Sequence, residues 1–416
     1  MIKIICSAQA YTYNAYHIVK AFYPSVEITN HVEEKASNYV EINFSDGQVI
    51  AVEKEEIKAE TDAEKKAQID KKLYKKLSEK SGKTLAWGIL TGVRPTKLAM
   101  KKLEEGMEPE AFVSWFRQTY LVSEEKSRLA WEIAKREKQL LDQLDYEDGY
   151  SLYVGIPFCP TVCTYCSFSS GALEDWKDFV DDYVEALCKE LAFIGEVSKQ
   201  KKLNSIYIGG GTPTSLSAKQ LERILSCIDT HFSREYLLEY TVEAGRPDSI
   251  TEEKLQVIKA HKVTRISINP QTMQQKTLDV IGRKHTVEDI CRTYEMARSL
   301  GFDNINMDLI AGLPGETALD MKDTLEKVGR LQPDSLTVHS LAIKRAAKMG
   351  QEVKEGQSDA SVCNISPEIG AMIREAEKAA DDMGLKPYYL YRQKNIAGNF
   401  ENVGYAKVDK AGIYNI

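Results

Sequence analysis

The sequence predicts an α/β fold: a partial (β/α)6 barrel, preceded by an N-terminal α+β domain and followed by a truncated C-terminal extension. Three observations carry this. From Ser151 onward, short apolar segments rich in β-branched residues alternate six times with amphipathic stretches of helical period. Such alternation builds a parallel sheet whose strands are apolar on both faces, with helices packed against it. The residues with chemical character fall at the ends of the apolar segments, where parallel α/β folds gather their active groups. A doubly wound sheet would satisfy the same alternation, so both arrangements stand at this stage.

The 416 residues allow two or three domains, and the pattern places them at 1–150, 151–345 and 346–416. The first opens with a strand-like IKIICSAQ and a helix-like NAYHIVKAFY, followed by the alternating segments YVEINFS and QVIAVEK. Two charged helices come next, AEKKAQIDKKLYKKLSEKSG and SEEKSRLAWEIAKREKQLLDQL. Between them, the GVRPTK turn reads as a helix start with Pro in its first turn or as an anion-binding loop. The barrel strands are SLYVGIPF, LNSIYIGGG, LEYTVEAG, TRISINPQ, NINMDLIAG and DSLTVHSLAI. The helices between them include EDWKDFVDDYVEALCKELAFIGEV, read as one continuous element, and AKQLERILSCIDTHF. After residue 345 a loop precedes the helix IGAMIREAEKAADDMGL, and the aromatic tail from Pro387 shows no evident terminal element.

A net charge of −7 without an Arg/Lys tract argues against an electrostatic grip on nucleic acid. No run of about 18 apolar residues and no signal-peptide pattern is present, which predicts a cytoplasmic protein without a membrane partner. Five scattered cysteines, Cys6, Cys188, Cys227, Cys291 and Cys363, read as reduced thiols that pack as small hydrophobes.

The other three, Cys159, Cys163 and Cys166, lie in the loop GIPFCPTVCTYCSF after the first barrel strand. A structural zinc site would need a fourth ligand, and no second CxxC or HxxxH follows. A disulfide framework does not suit three clustered cysteines in a reducing compartment. An iron–sulfur cluster fits better, since thiolates are its ordinary ligands. Three of them on a four-iron cube leave one iron without a protein ligand.

CPTVCTYC, with an aromatic residue before the third cysteine, resembles the signature of radical S-adenosylmethionine (SAM) enzymes, and GGGTPT resembles their second motif. YVGIPFCPTVCTYCSF, YIGGGTPT, VEAGRPDSI, INPQTMQQKTLDVIGRKHT and MDLIAGLPGET together resemble the oxygen-independent coproporphyrinogen III oxidases (coproporphyrinogen dehydrogenases) of the HemN/HemZ type, over about the middle half of the chain. The resemblance implies a radical SAM barrel with a [4Fe–4S] cluster on Cys159, Cys163 and Cys166, binding one or two molecules of SAM. It assigns Tyr153, Tyr165, Gly210, Gly211 and Glu243 to the first SAM, and Thr212, Gln271, Arg283, Asp308 and Ala342 to a second. Gly210 and Gly211 would let the backbone approach the ligand. Each polar residue also has a purely structural reading: Glu243 paired with Arg246, Gln271 and Asp308 bonded locally, Arg283 as a solvated helix end. The implied reaction is oxidative decarboxylation of two propionates of coproporphyrinogen III to vinyl groups, in heme biosynthesis. A reductant protein such as flavodoxin or ferredoxin is the implied partner. Lys344, Arg345, Arg392 and Lys394 are candidate cations for the substrate carboxylates. Phe168 stands where the characterised oxidases carry a fourth cysteine, a feature shared with heme chaperones of the same superfamily. A radical SAM methyltransferase or other radical SAM enzyme is the remaining alternative.

Overall fold

The computed structural model describes all residues except 25, 93, 345, 355–367 and 393–399. The chain forms two compact units.

The first unit comprises Met1–Lys135, Cys363–Gly370 and Leu390–Glu401. Its sheet is built from β1 (Ile2–Cys6), β2 (Ile28–Val32), β3 (Asn38–Phe44) and β4 (Val49–Glu53) in the order β2-β1-β3-β4. β1 and β2 are parallel and are joined by α1 (Gln9–Phe22), whereas β3 pairs antiparallel with β1 and β4. Strict alternation in β1 buries Ile2, Ile4 and Cys6 on one face. They pack with Val19 and Phe22 of α1 and with Leu73 and Leu77 of α2 (Asp62–Ser81). A capping box of Thr61 and Glu64 starts α2, and Gly82 in the left-handed conformation ends it. The expected strands, and both charged helices, are present here. The remaining helices are α3 (Thr96–Glu104), α4 (Pro109–Tyr120) and α5 (Glu124–Leu141). Pro95 caps α3, as the helix-start reading of GVRPTK requires.

The second unit comprises Arg136–Val362, Ala371–Tyr389 and Asn402–Ile416. Its six parallel strands follow the order of the chain: β5 (Gly149–Ile156), β8 (Lys202–Gly210), β9 (Glu239–Gly245), β10 (Arg265–Ile268), β11 (Ile305–Ala311) and β12 (Ser335–Ser340). A two-stranded ribbon of β6 (Phe158–Cys159) and β7 (Gly171–Ala172) lies in the loop after β5. The connecting helices are α6 (Leu173–Trp176), α7 (Val180–Val197), α8 (Ala218–His231), α9 (Glu252–Ala260), α10 (Gln275–Val280), α11 (Val287–Ser299) and α12 (Ala318–Leu331). The sheet runs in sequence order from β5 to β12 and curls into a half-barrel, which excludes the doubly wound alternative, in which the strand order reverses at a switch point.

Three expectations are corrected. The helix read as continuous over 174–197 is interrupted by a tighter 3₁₀ turn at Lys177–Phe179, so α6 and α7 are separate. The tail does contain regular structure: after α13 (Lys348–Lys354) and α14 (Ile369–Asp382), β13 (Lys386–Tyr391) and β14 (Asn402–Ala406) extend the sheet to eight strands, β14 antiparallel to β12. Five residues with a central Gly404 carry too little pattern to announce β14, and its pairing with β12 defines it. Nor are the parallel strands apolar on both faces. In β9, Tyr240, Val242 and Ala244 alternate with Glu239, Thr241 and Glu243. In β11, Met307 and Leu309 alternate with Asn306 and Asp308. Register aligns these polar positions across the sheet: Tyr153 with Tyr207, Tyr207 with Thr241, Thr241 with Arg265, Ser267 with Glu243 and Asn306, and Asp308 with Thr337. One face is therefore apolar and covered by helices, and the other forms a polar layer.

Candidate functional site

The cysteine loop is tied to the barrel from several strands. Thr212 N–H donates to Phe158 O (2.7 Å), Gly211 N–H to Ile156 O (2.7 Å), and Ser215 Oγ to Phe158 O (3.1 Å). Thr164 N–H donates to Ile281 O (3.2 Å), and Thr161 Oγ1 to Gly282 O (3.2 Å). Within the loop, Cys166 N–H donates to Cys163 O (3.0 Å). Thr212 Oγ1 donates to Cys159 Sγ (3.5 Å), and that thiol lies 3.7 Å from Ser170 Oγ. Cys163 is buried, while Cys159 and Cys166 are half-buried. Burial pushes the Cys166 thiol up, and the neighbouring Cys163 and Cys159 add to the shift. The three sulfurs thus share one electrostatic environment.

The glycines of GGGTPT have a reason that needs no ligand. A Cβ on Gly210, whose φ is +112°, would lie 2.8 Å from Ile156 O. One on Gly211 would lie 2.6 Å from Phe158 O and 3.0 Å from Cys159 Sγ. These glycines let the end of β8 press against β5 and the cysteine loop.

The polar layer continues from the loop. Tyr207 donates its hydroxyl to Glu243, and its ring stacks on Tyr153 (centroids 6.1 Å) and on Tyr414 (4.6 Å). Burial pushes the Glu243 carboxyl up to about 7, with the nearby Asp308 adding to the effect. Asp308 accepts from Asn306 Nδ2 (2.7 Å), and His339 Nε2 lies 3.9 Å away. Burial raises the Asp308 pKa, but His339, Asn306 and Thr337 outweigh it and hold the group below its ordinary value. Gln271 is bridged to β11: its N–H donates to Asp308 O (2.9 Å) and its C=O accepts from Ile310 N–H (3.0 Å), at a φ of +68°. Arg283 is 6% exposed, which overturns the solvated-helix-end reading. It donates to Asn269 O (2.5 Å) and Tyr165 Oη (3.3 Å), and its Nε has no hydrogen-bond partner among the described residues.

The profile of the radical SAM superfamily matches residues 153–328. Over 344 residues the chain is 43% identical to the oxygen-independent coproporphyrinogen-III oxidase-like protein HemZ of Bacillus subtilis (strain 168), across 82% of this chain and 68% of that protein. The chain belongs to the radical SAM superfamily, in the HemN/HemZ-type oxygen-independent coproporphyrinogen III oxidase family. This HemN/HemZ-type chain is also 37% identical to the heme chaperone HemW of the same bacterium over 195 residues, 47% of this chain and 51% of the chaperone. Among solved structures, the coproporphyrinogen III oxidase HemN of Escherichia coli superposes with a TM-score of 0.53 at 25% identity. That likeness covers 65% of this chain and 58% of HemN, so the chain spans little more than half of the solved oxidase.

Radical SAM proteins carry a [4Fe–4S] cluster and SAM. The residues present fit the cluster. Among the described residues no three His, Cys, Asp or Glu side chains converge as a single ion would require. A cube takes one thiolate at each corner, so its ligands need only share a loop, as these three cysteines do. Two buried guanidiniums, Arg246 and Arg283, lie beside Cys163 and offset the gathering of negative sulfur.

The HemN/HemZ-type barrel brings Tyr153, Tyr165, Gly210, Gly211, Thr212, Glu243, Gln271, Arg283 and Asp308 onto the cysteine loop and the polar layer, with half-buried Ala342 two residues beyond β12. Glu243 and Asp308 sit within strands rather than at their ends. The Glu243–Arg246 pairing does not form: Arg246 binds Asp248 through Nε (3.0 Å) and Nη2 (2.6 Å), and Glu243 takes Tyr207. Arg392 is not a free cation for substrate. It is 7% exposed and donates to Leu90 O (2.6 Å), inside the first unit. Lys344 is exposed, and Arg345 and Lys394 lie outside the described residues. Sequence reasoning missed Tyr207, His339, Tyr414 and Asp248. Only strand register, by setting inward-facing positions, could have flagged the first two.

Proposed function

We propose that this chain acts as a radical SAM oxidase on the propionate side chains of coproporphyrinogen III, with residues 151–345 as the catalytic core and residues 1–150 as an accessory domain. The observation that carries the reading is the joint placement of Gln271, Arg283, Asp308 and Glu243 on one polar layer beside the cysteine loop. Two half-buried carboxylates and a buried arginine whose Nε has no hydrogen-bond partner among the described residues are costly to desolvate, which supports a polar ligand at this layer.

When bound, the cluster and SAM supply a one-electron reductive cleavage of a sulfonium C–S bond and a radical able to take hydrogen from an unactivated carbon. Cys159, Cys163 and Cys166 would hold the cluster. Glu243 would receive a cationic or hydroxyl group of SAM, and Tyr165 would pack beside its adenine. Arg283 would pair with the carboxylate of a second SAM, and Asp308 would accept from its ribose hydroxyls. At each propionate the substrate would give one β-hydrogen atom to the SAM-derived radical and one electron to an external one-electron acceptor, carbon dioxide would leave, and a vinyl group would remain. Two such conversions give protoporphyrinogen IX. The electron for cleavage would come from a flavodoxin- or ferredoxin-type protein in the cytoplasm. No helix among the described residues is long and apolar enough to cross a membrane.

Phe168 favours a second reading. It occupies the position of the fourth cysteine of the characterised oxidases and is 68% exposed beside the cluster loop, and the heme chaperones share it. The test is anaerobic. The reconstituted protein receives SAM, dithionite and coproporphyrinogen III, and vinyl product and 5′-deoxyadenosine are measured. Both products support the oxidase. Stoichiometric heme binding with neither product supports a chaperone, and 5′-deoxyadenosine without vinyl product points to another substrate.

A further inference from the structure

Arg246 follows β9 in the segment VEAGRPDSI, and it is 3% exposed. Its guanidinium is divided between two tasks. Nε and Nη2 take the two oxygens of Asp248 at 3.0 and 2.6 Å, a fork-to-fork pair that fixes the plane of the group. Nη1 points the other way, into the cysteine loop. It donates to Thr161 O (2.7 Å) and Thr161 Oγ1 (2.9 Å), and it lies 3.8 Å from Cys163 Sγ. Behind Asp248 stands His285, 1% exposed, with Nδ1 3.6 Å from Asp248 Oδ1. A chain of His285, Asp248 and Arg246, buried at both ends with the Asp248 side chain 19% exposed between them, therefore reaches a cluster-ligand sulfur 83 residues away in sequence.

We propose that Arg246 is a positioning residue for the iron–sulfur cluster, holding the loop at Thr161 and donating an N–H to the Cys163 thiolate so that the cluster accepts its electron more readily. The physical argument has two steps. Hydrogen bonds to cluster sulfurs and burial are the levers by which a protein sets cluster potential. A desolvated guanidinium beside a thiolate stabilises the more negative, reduced cluster more than the oxidised one, and the low dielectric around a 3%-exposed group magnifies that preference. A residue needed only to brace the loop would be satisfied by Thr161 alone. The inference rests on cluster ligation by Cys163 and not on the tetrapyrrole substrate, so it stands whether the protein is an oxidase or a chaperone.

The test uses the full chain, reconstituted anaerobically, as wild type and as Arg246→Met, Arg246→Lys and Asp248→Asn. Three readouts are taken: iron and sulfide per chain, thermal unfolding of the protein, and the midpoint potential of the cluster from a mediated dithionite titration followed by electron paramagnetic resonance. Arg246→Met is expected to bind less iron and to hold its electron roughly tenfold more weakly, a midpoint about 59 mV more negative. Arg246→Lys and Asp248→Asn, which keep a cation near the sulfur but lose the fork or its anchor, should shift the midpoint the same way by less. A wild-type midpoint in Arg246→Met overturns the proposal. Should Arg246→Met fail to fold or to load iron, the other two decide: wild-type potentials in both overturn it, and a negative shift in either supports it.

Discussion

Glu243 offers the sharpest quantitative test of the site. Its carboxyl is pushed up to about 7 by burial, with Tyr207 donating to it and Asp308 nearby. If the ionised form receives a cationic group of SAM, binding must follow the ionised fraction. With a pKa of about 7, roughly one molecule in eleven is ionised at about pH 6 and ten in eleven at about pH 8. Affinity should therefore be about tenfold weaker at the lower pH, close to 1.4 kcal/mol. Glu243→Gln stays neutral throughout. It should bind weakly at both pH values and show only whatever pH dependence belongs to SAM itself. The readout is the difference between the two proteins, measured by equilibrium dialysis of SAM against the anaerobically reconstituted chain. Equal pH profiles for wild type and variant would refute the assignment of Glu243 to SAM. The same shift fixes the sign for stability. The folded carboxyl lies above its ordinary value of 4.5, so its contribution is present below that value and is lost as pH rises through about 7.

Three further outcomes follow from the geometry. Gly211→Ala places a methyl group 3.0 Å from Cys159 Sγ and 2.6 Å from Phe158 O, so iron content after reconstitution should fall with little change in far-ultraviolet circular dichroism. In the first unit, Glu401 is enclosed by Lys126 (2.8 Å) and by the indole Nε1 of Trp87 (2.7 Å); Glu401→Leu leaves Lys126, whose side chain is only 4% exposed, with Glu125 (2.9 Å) as its carboxylate partner, and should cost about 1–3 kcal/mol in urea unfolding. Gln271→Val forces a β-branched residue into a φ of +68°, and should lower the melting temperature where Gln271→Asn, which tolerates that conformation, leaves it nearly unchanged.

Some of this protein is written along the chain itself. The three cysteines within one loop and the strand–helix alternation act over a few residues, so composition and spacing reveal them. Local pattern also showed the strands β1, β3 and β4 and the two charged helices. It could not reveal β14, whose five residues become a strand only by pairing with β12. Nor could it assign partners. Arg246 stands three residues after Glu243, and chain proximity suggested an ion pair. Alternation along an extended strand turns neighbouring side chains to opposite faces, and the fold delivered Glu243 to Tyr207 while sending Arg246 to Asp248 and the sulfur of Cys163. The glycines after β8 show the same division: their presence was plain in the sequence, but only the approach of β5 and the cysteine loop explains why no Cβ fits. Register between distant strands sets which polar groups meet, and register is a property of the packed sheet rather than of any one segment.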